Sequence, residues 1–384
     1  MFIVVSAVKE KSKMRKERNS GVEVLKLIAM GIIVFSHAMP MVSGVTGGQD
    51  FFMNLDRNTD SIQRILILLM RYGGQAGNAV FFVCSAWYLA DNDKVVWKKV
   101  FHMLADCFLI SVLIMGVFLI AGYPLTMHEI ICQFTPTYAM YNWYVPCYLL
   151  LYIIHPILNR VFMSISREQA CQIAVWMFII YSGLQFLVKN TFFYSHLIGF
   201  ICIYWIVMYV KKYLKEFNSD KVRNIKLLLF CAIGNLILVF ATNYVGREYG
   251  ILKNQCTYWN TFMNPFYILG AIAAFDIAKE HYFVSKTVNY ISGLTLLIYV
   301  IHFNRLIFTH LIPDIYKWIY MKYTYEYEFF WVLLVGGCLG LFGTVSAMLY
   351  RKIIQNKWHC FVDWLLNKVG YLYDAMIKKI LEWK

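Results

Sequence analysis

Apolar residues along this chain gather into long runs separated by short polar stretches. The runs are roughly 17–25 positions long, which is what a helix needs to cross a hydrocarbon core about 30 Å thick. Inside a bilayer no water is present to satisfy backbone N–H and C=O groups, so each run reads as an α-helix. The pattern predicts an all-α fold: a polytopic membrane helix bundle of about ten transmembrane helices, at 21–41, 63–89, 99–121, 142–163, 171–188, 193–213, 225–244, 260–279, 288–311 and 328–350. The chain divides into a basic tail (1–20), the ten-helix transmembrane domain (21–350) and a second tail (351–384). In that last segment apolar positions alternate with Lys378, Lys379, Trp358, Trp364 and Trp383, the pattern of an amphipathic helix lying on a membrane surface. No soluble domain, long linker or internal repeat is visible.

Composition agrees. The 384 residues are 60% hydrophobic and 15% charged, whereas soluble domains run at about 45–50% and about 25%. Aromatic residues, at 18%, suit interfacial belts as well as helix packing. The net charge of +14 invites a nucleic-acid reading, but the basic residues are dispersed among the connections between apolar runs. With ten spans, 26 of the 36 Lys and Arg fall on the side of both termini and 7 on the other. The positive-inside rule then predicts that both termini of this multi-pass protein are cytoplasmic. The ten cysteines form no C-x-x-C pair and lie mostly inside apolar runs, as small buried residues rather than disulfide or metal ligands. The first apolar run is too long for a cleaved signal peptide and lacks a clean small-residue cleavage site. Met14, opening "MRKERNSGVE", offers an alternative translation start.

Ionisable side chains inside spans cost a few kcal/mol and are functional candidates by default. The first span, "GVEVLKLIAMGIIVFSHA", carries Glu23, Lys26 and His37. Glu23 and Lys26 are three apart and can pair on one helix face. Lys26 and His37 are eleven apart, which returns to the same face about 16 Å further along the axis. Lys26 could instead snorkel to the interface, and His37 could merely bond a neighbouring helix. Arg71 opens "RYGGQAGNAVFFVCSAWYL" about 12 Å below the outer face. His302 and Arg305 fall one turn apart in "GLTLLIYVIHFNRLIF", at a depth similar to His37. Buried charges need partners, so His37, Arg71, His302 and Arg305 are expected to cluster, the alternative being that Arg305 is an anchor at the outer interface. The third span opens with Lys98, Lys99 and His102, either a positive-inside flank or a phosphate-binding patch. Asn142, Trp143 and Tyr144 head the fourth span, as interfacial aromatic residues or as a wall on which a sugar stacks.

These segments together resemble the acyltransferase 3 family, bacterial integral-membrane O-acyltransferases that modify surface glycans. Its members open with an acidic residue, then Arg or Lys, ten residues and a His, here Glu23, Lys26 and His37. Their second helix reads like "GVNxFFxxSGYxL", here "GNAVFFVCSAWYL" (77–89). The fourth opens with a Trp-Tyr/Phe pair and has a later Pro, here Trp143, Tyr144 and Pro156. The ninth resembles "IYLIH", here "IYVIH" ending at His302. The resemblance covers nearly the whole chain in order. It departs at Ala86, where the family usually has Gly, and at Lys98, Lys99 and His102, where the family is Arg-rich; lysine binds phosphate as a point charge without the arginine fork.

The resemblance implies transfer of an acyl group, acetyl first, from acyl-CoA (acetyl-CoA) as donor to a hydroxyl of a glycan or lipid-linked sugar acceptor, with no metal. His37 would act as general base or transient acyl carrier, with His302 beside it. Lys26, oriented by Glu23, would attract the donor with Lys98, Lys99 and His102. Arg71 would stabilise the oxyanion or position the acceptor, and Asn142, Trp143, Tyr144 and Arg305 would line the acceptor side. The partners are the lipid bilayer and the glycan, with no nucleic acid. The rival reading is a glycan flippase or exporter whose buried charges line a transport pathway.

Overall fold

A computed structural model of the protein describes residues 17–39, 62–139, 143–187, 195–214, 220–249, 258–323 and 327–381. Every regular element among them is helical: α1 (Ser20–His37), α2 (Ile62–Leu89), α3 (Trp97–Ile120), α4 (Met127–Phe134), α5 (Tyr144–Ser164), α6 (Arg167–Met177), α7 (Gln185–Leu187), α8 (His196–Tyr213), α9 (Lys221–Tyr249), α10 (Pro265–Glu280), α11 (Lys286–Ser292), α12 (Thr295–His302), α13 (Ile312–Lys322), α14 (Glu328–Tyr350) and α15 (Asn356–Leu381). Six stretches among the described residues are long and apolar enough to cross a membrane, and seven if one bent pair counts as a span. The chain is a multi-pass membrane helix bundle. The expected runs at 193–213 and 260–279 are the shorter α8 and α10, of 18 and 16 residues. The run at 171–188 is α6 continuing through a π-helical turn, Phe178–Leu184, into α7.

The expected continuous helix over 288–311 is not formed. It is α11 and α12, then a break, then a π-helical turn (Ile307–Leu311) leading into α13, with a bend of 59°. Asn304 supplies the physical reason. Its Oδ1 accepts the Leu306 N–H at 2.9 Å and its Nδ2 donates to Gln133 Oε1 at 2.9 Å. Such local side-chain bonds compete with the helix ladder. His302 thus ends a helix instead of sitting inside one.

α14 ends at Tyr350, at the expected boundary, but the helical path continues beyond it. A π-helical turn, Arg351–Gln355, carries it into α15. The first turns of α15 dock on α3: Trp358 Nε1 donates to the Ala105 carbonyl at 3.0 Å, and Asp363 pairs with Lys98 at 2.7 Å.

α1 is the central helix. It packs against α2, α10, α11, α12 and α14. Its first turn is capped by Asn19, whose Oδ1 accepts the Gly21 N–H at 2.9 Å while Nδ2 donates to the Lys279 carbonyl at 2.8 Å. This satisfies one of the orphan donors that every helix start leaves and ties α1 to the end of α10. Against α2 the approach is close because α2 presents glycine. A Cβ at Gly74 would lie 2.0 Å from Ser36 Oγ, and one at Gly77 2.8 Å from the Ala29 carbonyl oxygen. Small residues let membrane helices meet backbone to backbone, and here that contact brings Arg71 beside the last turn of α1. Gly77→Leu is expected to force the two helices apart, at a cost of about 1–3 kcal/mol or more from overpacking. A thermal melt of the purified variant in detergent checks this; a wild-type midpoint would overturn the packing argument.

Candidate functional site

Three cavities run along α1. At the end of the bundle that holds the start of α1 and the end of α10 lies a vestibule of about 940 Å³. Arg18, Lys26, Lys94, Lys99 and Lys279 line it against Glu17 and Glu23. Deeper is a mainly apolar chamber of about 220 Å³, bounded by Ile33, Phe81, Val145, Tyr148 and Tyr299 among others. Vestibule and chamber share Lys26, Ser85, Lys99 and Tyr148. The third cavity, of about 280 Å³, lies around the end of α1 and is lined by Ser36, His37, Arg71, Gln75, Trp143 and Asn260 together with Asn78 and two phenylalanines. The chamber and this His37 cavity share Asn78.

The helical geometry of α1 distributes its polar residues over this series. Glu23 is buried and holds Lys26 Nζ at 3.1 Å, and it also accepts the Ser292 hydroxyl. The ammonium is therefore fixed at the join of vestibule and chamber, and it is paired within the bundle as well as facing the vestibule. Lys99 lies with Nζ 5.0 Å from the centre of the Tyr152 ring and faces the same space. Lys98 and His102 do not line it. Both bind Asp363 of α15, at 2.7 and 2.9 Å. Of the three expected donor-binding residues at the head of α3, only Lys99 is on the cavity, because the docked C-terminal helix engages the other two. Beside them His102 stacks on His359, with ring centres 3.8 Å apart, and His359 meets Asp106 at 2.9 Å.

At the other end of α1, His37 Nδ1 lies 3.1 Å from His302 Nε2. The proton positions follow from the partners. His302 Nδ1 is 2.7 Å from the Ile298 carbonyl, which can only accept, so Nδ1 carries the hydrogen. Neutral His302 then has its lone pair on Nε2 and accepts from His37 Nδ1–H. That leaves Nε2 as the basic nitrogen of His37. His302 is fully buried, and the His37 ring stacks on Phe303 with centres 4.0 Å apart and meets Phe308 edge-on. The Ile298 carbonyl, the His302 imidazole and an aromatic platform thus fix the tautomer and the plane of the His37 ring.

Arg71 lines the same cavity and donates through a terminal nitrogen to the Ser36 carbonyl at 3.4 Å. Its own carbonyl accepts from Asn260 Nδ2 at 3.2 Å. Trp143 closes a side wall, packed on His196 at 4.4 Å between ring centres. Tyr144 points instead into the chamber. Asn142 lies outside the described residues. Arg305, expected beside His302, follows the break in the helix and donates to Cys132 Sγ of α4 at 3.0 Å. It is not a lining residue of the His37 cavity, because the 59° bend redirects the chain there.

Sequence reasoning singled out no role for Gln75, Asn78 or Asn260. Asn78 was visible as the one amide in "GNAVFFVC", and Asn260 as the amide at the start of the run 260–279. A polar amide in a buried apolar segment was the available signal for both.

A family model described as an acyltransferase domain, of the acyltransferase 3 group, matches residues 19–349. No curated protein and no solved structure matches the chain.

Proposed function

The chain belongs to the acyltransferase 3 family and is a membrane acyltransferase; from that premise we propose that it transfers an acetyl group from acetyl-CoA in the cytoplasm to a hydroxyl of a surface or lipid-linked glycan. We orient the vestibule end, with both termini, to the cytoplasm of the inner membrane, in a bundle of about ten spans. The observation that carries the reading is the pairing of His37 Nδ1 with His302 Nε2 at 3.1 Å, on the same helix whose other end holds Lys26 at the vestibule.

In this mechanism CoA phosphates are held in the vestibule by the surplus of cations over the two carboxylates. The thioester reaches through the chamber, and the acceptor hydroxyl enters the His37 cavity. His37 Nε2 takes the hydroxyl proton as the oxygen attacks the thioester carbonyl carbon. The new C–O bond forms, the C–S bond breaks, and the CoA thiolate leaves and receives the proton from His37. Arg71 offers a fixed positive charge near the oxyanion that develops in between. His302, accepting from Nδ1–H, holds the tautomer and offsets the positive charge gained by His37. An acyl-histidine route would use the same Nε2; trapping of a radiolabelled acetyl group on denatured protein distinguishes it.

The reading is tested by comparing O-acetyl content of surface glycans with and without the gene; equal content sinks it. Lys26 has its own test. Lys26→Ala leaves Glu23 as an uncompensated buried carboxylate, which is costly by itself. The double variant Glu23→Gln/Lys26→Met avoids that. It is expected to raise the KM for acetyl-CoA about tenfold, the loss of roughly one charge-assisted contact, while kcat changes little. An unchanged dependence of rate on acetyl-CoA concentration would remove Lys26 from the donor site.

A further inference from the structure

The chamber and the His37 cavity meet at one side chain. Asn78 lines both, is 7% exposed, and sits one residue after Gly77, one of the glycines at which α2 packs closely on α1. Its Nδ2 donates one hydrogen to Gln75 Oε1 at 3.2 Å, and Gln75 also faces the His37 cavity. That bond sets the amide's orientation and uses one of its two N–H groups. Around it the chamber walls are large and apolar, with Ile33, Phe81 and Tyr144. A group passing from the donor side to His37 therefore leaves an apolar bore and meets a carboxamide at its exit.

We propose that Asn78 determines which acyl groups the protein transfers. Its second Nδ2 hydrogen donates to the thioester carbonyl as that group emerges from the chamber, and its bulk at the exit restricts the acyl substituent to short chains such as acetyl. The proposal rests on the acyl-transfer reading above and names the substrate class of that site. A carbonyl oxygen matches the amide donor. A hydrocarbon tail of several carbons would have to displace the Asn78–Gln75 pair, leaving both amides without partners, which a site made of hydrogen-bonding groups penalises heavily.

The test uses the full-length protein in nanodiscs, acetyl-, butyryl- and hexanoyl-CoA as donors, and a glycolipid extract of the producing cells as acceptor, with thiol release as the readout. Asn78→Ala is expected to lower kcat with acetyl-CoA about 10²-fold, the usual loss for one oxyanion donor, with the donor KM changed less than about twofold. The hexanoyl-to-acetyl ratio of kcat/KM is expected to rise at least about tenfold, since even one methylene in a fitted pocket decides 10–200-fold. Asn78→Leu nearly keeps the size and has no donor, so it should lose rate with acetyl-CoA while its chain-length ratio rises less than that of Asn78→Ala. If the alanine variant does not fold, the leucine variant carries the test. Wild-type turnover of acetyl-CoA by Asn78→Leu, or an unaltered chain-length ratio in folded Asn78→Ala, overturns the assignment. A wild-type protein that releases no thiol from any acyl-CoA instead overturns the donor reading on which it rests.

Discussion

Replacing His37 by alanine is expected to lower acyl transfer about 10²–10⁴-fold, the contribution of a positioned general base, without preventing membrane insertion. The magnitude corresponds to about 3–5 kcal/mol of transition-state stabilisation. His302 does not take over as base, because it is fully buried and does not line the cavity at the end of α1. His37 is half-buried at the end of α1, whose stability comes from the packing of Val22, Met30, Ile33 and Val34 and from the Asn19 cap. Its removal should therefore leave the bundle intact. The measurements are thiol release from acetyl-CoA by purified protein and O-acetyl content of surface glycans in cells carrying the variant. Wild-type acetylation by a His37→Ala protein would refute the mechanism. A glycan exporter, the competing reading, should release no thiol from acetyl-CoA at all, and its activity would not distinguish acetyl donors.

His302 carries the second large effect. His302→Leu removes the acceptor for His37 Nδ1–H, so the proton is free to sit on either ring nitrogen, and one of the two tautomers cannot act as base. Loss of the tautomer-fixing partner costs about 10⁴-fold in the serine-protease triad, where the partner is a carboxylate. A neutral imidazole stabilises the imidazolium less, so about 10²-fold in kcat is expected here. The substitution also leaves the Ile298 carbonyl without the His302 Nδ1–H that bonds it at 2.7 Å. His302→Gln separates the effects, since an amide oxygen can accept from His37 Nδ1–H. Partial recovery of kcat in His302→Gln relative to His302→Leu, with the donor KM unchanged, is the expected signature of positioning. Equal rates in the two variants would mean that His302 serves packing alone.

Much of the fold was legible in the sequence because the bilayer makes burial a one-dimensional problem. Apolar runs of span length mark α1, α2, α3, α5, α9 and α14, and Glu23, Lys26 and His37 on α1 could be assigned to one face by the 100° helical step alone. The same arithmetic failed where polar side chains compete with the ladder. Asn304 bonds Leu306 N–H and Gln133 across to α4, and no periodicity reveals the second partner. The helix breaks there, and Arg305 leaves the cluster it was expected to join. At the head of α3 the limit is related: the pairing of Lys98 and His102 with Asp363, more than 250 residues away, is not legible in their own segment.

The sequence by itself determined that this chain is a membrane helix bundle, that it resembles the acyltransferase 3 family, and that Lys26 and His37 lie near opposite ends of one crossing. Those properties depend on hydrophobic length, motif order and helical pitch, all of which are local. Only the tertiary structure decided that His37 shares a hydrogen bond with His302, which nitrogen of His37 is left basic, and that Asn78 stands where the apolar chamber meets the His37 cavity. Each of these depends on how closely α1, α2 and α12 approach, and that distance is set by glycines at the contact and by a break in the helix, through packing that no single segment encodes.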